Sequence, residues 1–163
     1  MKLELYDKNH FSVFLNKYYV EDIDFKKKEG IEVYLKNIIS NLKIYHHVKM
    51  SGYYDVNIYV NNLYGIIMEL VNLDDEYLKM FGKKIDMKIT FNLDSDILFK
   101  LDDYFYKDEL GNVKKEVYFY ENNFYLKILD NIISDALMMK IIENTDIVYG
   151  DKVYEILDKG KKL

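Results

Sequence analysis

Apolar and polar positions alternate at the start of the chain. Lys2 to Tyr6 and Phe11 to Leu15 show this pattern on either side of Asp7-Lys8-Asn9-His10, which predicts two strands joined by a turn. Tyr18 to Lys28 is mixed and charged and predicts a loop or an irregular helical turn. The period then changes. Ile31, Tyr34, Leu35, Ile38, Ile39, Leu42 and Tyr45 recur at helical spacing, so Glu29 to Tyr45 predicts an amphipathic helix. Tyr54 to Val60 and Tyr64 to Val71 return to the strand pattern as a second hairpin. The first half therefore reads strand, strand, helix, strand, strand.

Asn72 to Lys84 carries Asp74, Asp75, Glu76, Lys79, Gly82, Lys83 and Lys84 and predicts a short linker with about one helical turn. Beyond it, Ile85, Met87, Ile89 and Phe91 alternate with Asp86, Lys88 and Thr90 as a strand opening the second half. Asp94 or Ser95 can cap a helix through Ile97, Leu98, Leu101, Tyr104 and Phe105. A strand competes for Asp96 to Tyr106, because the segment is rich in aromatics. Leu110-Gly111-Asn112 breaks the pattern, and Glu116 to Ile128 predicts a third hairpin. Asp130 to Asn144 reads as a helix, with Ile133, Ala136, Leu137, Met138 and Ile141 on its apolar side. Asp151 can cap a last short helix through Val153, Ile156 and Leu157, closed by Gly160. The expected fold class is α+β: two small domains, each an antiparallel sheet packed with helices. The expected boundaries are 1–72 for the first domain, 73–84 for the linker and 85–163 for the second domain.

Two hairpins share a phrase. Val56 to Tyr64 and Val117 to Tyr125 both place an aromatic residue on either side of an Asn-Asn pair, Asn61-Asn62 and Asn122-Asn123. Asn tolerates positive φ, so the pair can close a primed turn. The elements before the two copies differ, which argues for similar turns in unlike domains rather than a duplication.

Composition narrows the function classes. Half of the 163 residues are hydrophobic and 31% are charged, a globular balance, but each half is close to the size at which a core becomes marginal. A net charge of −5 and a pI near 5.3 argue against a nucleic-acid surface. The basic runs Lys26 to Lys28 and Lys159, Lys161 and Lys162 are short and sit beside acidic residues, which fits solvated charge. There is no Cys, so disulfides and thiolate sites are excluded and a reducing compartment is favoured. No apolar run has the length of a membrane span, and the expected location is cytoplasmic. The 17 Tyr residues reflect in part a codon bias, since Lys, Ile, Asn and Tyr all use A+T-rich codons.

Catalytic signatures are sparse. His46 and His47 are adjacent, so on a helix they point in different directions and do not chelate as an i, i+4 pair does. Asp74-Asp75-Glu76, Asp102-Asp103 and Asp108-Glu109 offer paired carboxylates of the kind acid/base enzymes use, but all lie in polar surroundings or at predicted element ends, which favours solvated charge. There is no Gly-rich phosphate loop and no Gly-x-Ser-x-Gly elbow. None of the five Ser residues has a His at a suggestive sequence distance. No cofactor or metal is expected.

In the order of its elements the chain resembles the MecA-type adaptor family, which delivers substrates to the ClpC AAA+ unfoldase of the ClpCP protease. Met1 to Glu4 with Asp7-Lys8-Asn9 looks like that family's first hairpin, and Glu21 to Phe25 like its acidic entry into the first helix. Tyr45 to Gly52 leads into a strand pair as the family's N-terminal domain does. Ile89 to Asp94 before Ile97-Leu98 looks like its strand-to-helix entry, and Ile141-Ile142-Glu143 with Leu157 to Lys161 like its closing segment. Tyr118 to Leu126 is the closest local match. The chain departs from the family in its shorter linker and in Gly52-Tyr53-Tyr54, which stands where the family has a Gly-Pro entry. The resemblance implies a non-enzymatic adaptor whose first domain binds substrate proteins and whose second docks on a ClpC-type unfoldase. The candidate protein-binding residues are Tyr118, Tyr120, Glu121, Asn122, Asn123 and Tyr125. Two readings compete with it: a divergent relative that binds another protein or a second copy of itself, and a small acid/base enzyme using paired carboxylates.

Overall fold

The computed structural model describes residues 1–19, 29–30, 33–38, 41, 52–74, 85–102, 110–130 and 133–163. Its α+β fold contains two five-stranded sheets. The chain forms two compact units, Met1–Ile58 with Gly65–Asn92, and Tyr59–Tyr64 with Leu93–Leu163.

The first unit holds β1 (Lys2–Leu5), β2 (His10–Asn16), most of β3 (Gly52–Asn61), β4 (Gly65–Asp74) and β5 (Ile85–Asn92), in the order β1-β2-β4-β3-β5. Hydrophobic alternation explains β3 directly: Tyr54, Val56 and Ile58 are buried, while Tyr53, Asp55 and Asn57 are half-buried on the opposite face. In β2 the alternation is lost, since Phe11 through Leu15 are all buried. Both faces of that strand are covered, as for a strand inside a sheet. β2 pairs antiparallel with β1 on one side (Lys2↔Phe14 to Leu5↔Phe11) and with β4 on the other (His10↔Val71 to Asn16↔Gly65). Between β1 and β2, Asp7 closes the turn by accepting the Asn9 N–H on Oδ1 at 2.7 Å. Gly65 is fixed by space: at φ +124° an added Cβ would lie 2.1 Å from the Leu15 carbonyl oxygen. The expected first helix is helical at every described position of 29–41, with α1 at 33–38 and Leu35 buried. Ile31, Ile39, Leu42 and Tyr45 lie outside the described residues.

The second unit holds β6 (Leu98–Leu101), β7 (Lys115–Tyr120), β8 (Asn123–Ile128), β9 (Asp146–Val148) and β10 (Lys161–Lys162), in the order β10-β7-β8-β6-β9, with every pair antiparallel. Two helices belong to it, α2 (Asp135–Asn144) and α3 (Asp151–Lys159). Ser134 caps α2 by accepting the Leu137 N–H, and α2 buries Met138, Ile141 and Ile142. α3 lays Val153 and Ile156 on Leu98, Tyr118 and Tyr125 of the sheet. The N-cap of α3 is Gly150, at φ +65°, and Asp151 is its first helical residue rather than its cap.

Three further expectations change. Asp94 or Ser95 does not start a helix: Ile97, Leu98, Phe99 and Leu101 are all buried, and the strand β6 runs from Leu98 to Leu101. A short apolar run broken only by Lys100 suits a largely enclosed strand as well as it suits a helix, and pairing with β8 and β9 decided between them. Residues 103–109 lie outside the described residues. Second, the strand at Ile85 does not open the second unit but sits beside β3 in the first sheet. The division therefore falls after Asn92 and gives the 59–64 hairpin tip to the second unit, in place of boundaries at 72 and 85. Of the expected linker, Leu73 and Asp74 continue β4 and 75–84 lie outside the described residues. Third, the two Asn-Asn turns differ. Tyr120 pairs with Asn123, so the two-residue turn is Glu121-Asn122, with φ of 46° and 61°. That is a primed turn, one residue earlier than the Asn pair suggests. The other copy has a three-residue connection, Asn62 to Tyr64, in which Asn61 Oδ1 accepts the N–H groups of Leu63 and Tyr64.

Candidate functional site

The β7–β8 hairpin positions all six candidate binding residues, and cover by α3 divides them. Tyr118 stands opposite Tyr125, and both rings are buried with Leu98 under Val153 and Ile156 of α3. Tyr120 packs partly buried against the same cluster. A protein reaching the Tyr118 and Tyr125 rings would have to displace α3, so these two serve the core. Glu121 and Asn122 form the exposed turn, and Asn123 Nδ2 donates to the Glu121 carbonyl at 2.7 Å.

The accessible part of the hairpin is a ridge of charged and phenolic groups shared with α3. Tyr120 donates its hydroxyl to Glu155 Oε1 at 2.7 Å. Lys152 Nζ reaches Glu155 Oε2 at 3.0 Å and Glu121 Oε2 at 3.2 Å, and lies 4.9 Å from the centroid of the Tyr120 ring. Lys159 adds a further contact to Glu155 at 3.3 Å. The bond from Tyr120 and the two ammonium groups hold the Glu155 carboxyl down at about 2. The bond to that carboxylate pushes Tyr120 up to about 12, and the two carboxylates raise Lys152. Further from the turn along β7, Tyr118 donates to Glu116 Oε2 at 2.7 Å, and Lys162 of β10 pairs with Glu116. These bonds, the Lys162 bond foremost, lower the Glu116 carboxyl, while burial and the adjacent carboxylate push Tyr118 up to about 12. Lys159 and Lys162 thus face carboxylates, an arrangement with no unpaired basic cluster for a phosphate.

Sequence reasoning missed two polar groupings. In the first unit, Tyr6, just after β1, meets both Glu4 Oε2 at 3.3 Å and Ser12 Oγ at 3.1 Å, while His10 Nε2 of β2 and Glu69 Oε1 of β4 are 2.9 Å apart. His10 and Ser12 stand two residues apart on one strand and so share a face, which the strand period could have revealed. Ser12 is buried and bonded to Tyr6, whereas the imidazole is bonded to Glu69, so nucleophile and base are not joined as acyl transfer requires. The second grouping lines an open depression of about 370 Å³ formed by Asn61, Asn62, Leu63, Asp94, Ser95 and Asp96. Its polar groups hold the hairpin tip in place: Asn61 Nδ2 donates to the Ser95 carbonyl at 2.8 Å, Asn62 Nδ2 to Asp94 Oδ1 at 3.0 Å, and Ser95 N–H to the Val60 carbonyl at 2.9 Å. Asp96 pairs with Lys127 at 2.9 Å.

Among the described residues no three His, Asp or Glu side chains are grouped to hold a metal ion, and no helix is long and apolar enough to cross a membrane. His46 and His47 lie outside the described residues, as do Asp75, Glu76, Asp103, Asp108 and Glu109 of the acidic pairs. Asp74 ends β4, and Asp102 is exposed just after β6. No family model, curated protein or solved structure matches the chain.

Proposed function

We propose that this chain is a non-enzymatic adaptor that tethers substrate proteins to a ClpC-type AAA+ unfoldase. The observation carrying the proposal is the division into two compact units, each with its own five-stranded sheet. Two modules in one chain raise the local concentration of one bound protein near another, and that effect needs no catalytic group on the tether. The exposed ridge of Tyr120, Glu121, Lys152, Glu155 and Lys159 supplies the polar, partly aromatic surface a docking module uses. The test is direct: the purified chain should co-elute with a ClpC-type unfoldase and stimulate its ATPase. Absence of any complex at about 10 μM, where even a modest adaptor contact registers, refutes the proposal.

One observation favours a second reading. β6 replaces the helix that the adaptor resemblance implies after Asp94, so the second unit departs from the expected docking domain. On that reading the chain binds another protein or a second copy of itself without engaging an unfoldase. A stable self-complex in light scattering, together with an inert ATPase assay, selects it.

A further inference from the structure

β5 is the terminal strand of the first sheet, eight residues long, with β3 its only strand neighbour among the described residues. Long edge strands invite pairing, and a single lysine pointing outward ordinarily blunts them. Lys88 is such a lysine, exposed in mid-strand. It is two positions from Asp86, however, and that spacing reverses its effect for one particular partner. When two copies of β5 run antiparallel about Met87, each Lys88 stands opposite the other copy's Asp86, and Ile85 stands opposite Ile89.

We infer that β5 is a homotypic pairing edge, joining two copies of this chain through an antiparallel β5–β5 ladder centred on Met87. Directly opposed residues in such a ladder have Cβ atoms roughly 5 Å apart, close enough for carboxylate and ammonium to meet. The two-fold axis makes the pair twice, so one mutual register satisfies both charges of both copies. Met87 and Ile89 lie together on the other face of the pleat, where Met87 is already buried, and pairing extends that apolar row. The edge is poised for exchange, because Asp86 Oδ1 holds the adjacent Met87 N–H at 2.9 Å, a bond within the strand that an incoming ammonium can replace. A different partner strand meets Lys88 without the matching aspartate, so the same residue that admits a second copy disfavours other strands. The pairing does not depend on what either unit binds, and an inert unfoldase assay leaves it standing.

Light scattering and sedimentation of the full chain across a concentration series test it. The expected result is a concentration-dependent dimer, weakened roughly tenfold or more by Lys88→Asp or by Asp86→Lys alone and restored by the two together, since the double exchange rebuilds both pairs. Circular dichroism checks that each variant stays folded. Because the chain has no Cys, a second measurement reads the register independently of charge. Under mild oxidation, Asp86→Cys protein mixed with Lys88→Cys protein should cross-link into a mixed dimer. A monomer up to about 1 mM, a dimer indifferent to both charge reversals, or no mixed cross-link each overturns the inference.

Discussion

Replacing Tyr64 by Phe removes one hydroxyl from the second unit and leaves the ring. Tyr64 is 3% exposed, its OH donates to the Ile128 carbonyl at 3.1 Å, and its ring meets Phe99 edge-on with centroids 5.2 Å apart. The ring contact survives the change, so the loss is that of one buried neutral hydrogen bond, about 1 to 2 kcal/mol. Tyr64→Ala also removes the ring and leaves a cavity, for about 3 to 5 kcal/mol. Urea unfolding followed by circular dichroism measures both. A second signature is alkaline. Burial, reinforced by Asp96 and only partly offset by the Ile128 bond, raises the Tyr64 phenol above its ordinary value of 10.0. The unfolded chain therefore ionises there first, and the stability this group contributes is complete below pH 10 and falls as pH rises beyond it. Tyr64→Phe should shallow the alkaline decline; Tyr118, Tyr120 and Tyr125, also raised, keep part of it. A Phe variant indistinguishable from the parent in both measurements would refute the role assigned to the hydroxyl. An Ala variant no worse than Phe would refute the burial of the ring.

Gly65→Ala should cost at least about 3 kcal/mol or abolish soluble expression, because positive φ and a backbone clash act together; Gly30→Ala, where a methyl meets open space, is the control and should change stability by no more than about 1 kcal/mol. Glu155 should titrate near 2 in carboxyl-carbon NMR, with its contribution to stability present above the ordinary 4.5 and lost as pH falls toward 2; Tyr120→Phe should move that midpoint upward, and an unmoved midpoint would show that the phenol is not its main partner.

Local pattern carried most of the strands. Tyr54, Val56 and Ile58 announce β3 by alternation, and Met138 with Ile141 announces α2 by helical spacing, although α2 starts at Asp135, Ala136 is exposed and Ile142 is buried in its place. What local pattern could not carry was set by residues distant in the chain. Leu98 to Leu101 became a strand because β8 and β9 flank it, and β9 and β10, of three and two residues, are too short to leave a period. Glu121 takes positive φ although Glu rarely does, so the Asn pair pointed to a turn displaced by one residue. The candidate site suffered from a related ambiguity. Alternation put Tyr118 and Tyr120 on one face, but nothing in the hairpin's own sequence says that α3, more than thirty residues later, covers Tyr118.

Giving Tyr59 to Tyr64 to the second unit has a consequence during synthesis. Strands β3 and β4 can pair as soon as Asp74 has left the ribosome, but Tyr64 acquires its Ile128 acceptor only 64 residues after its own emergence. At about 5 to 20 residues per second, the aromatic tip stands in solvent for roughly 3 to 13 s on every nascent chain. For that interval the hairpin offers two tyrosines to any chaperone at the tunnel exit, and the second unit closes around a piece of the chain made well before the rest of it.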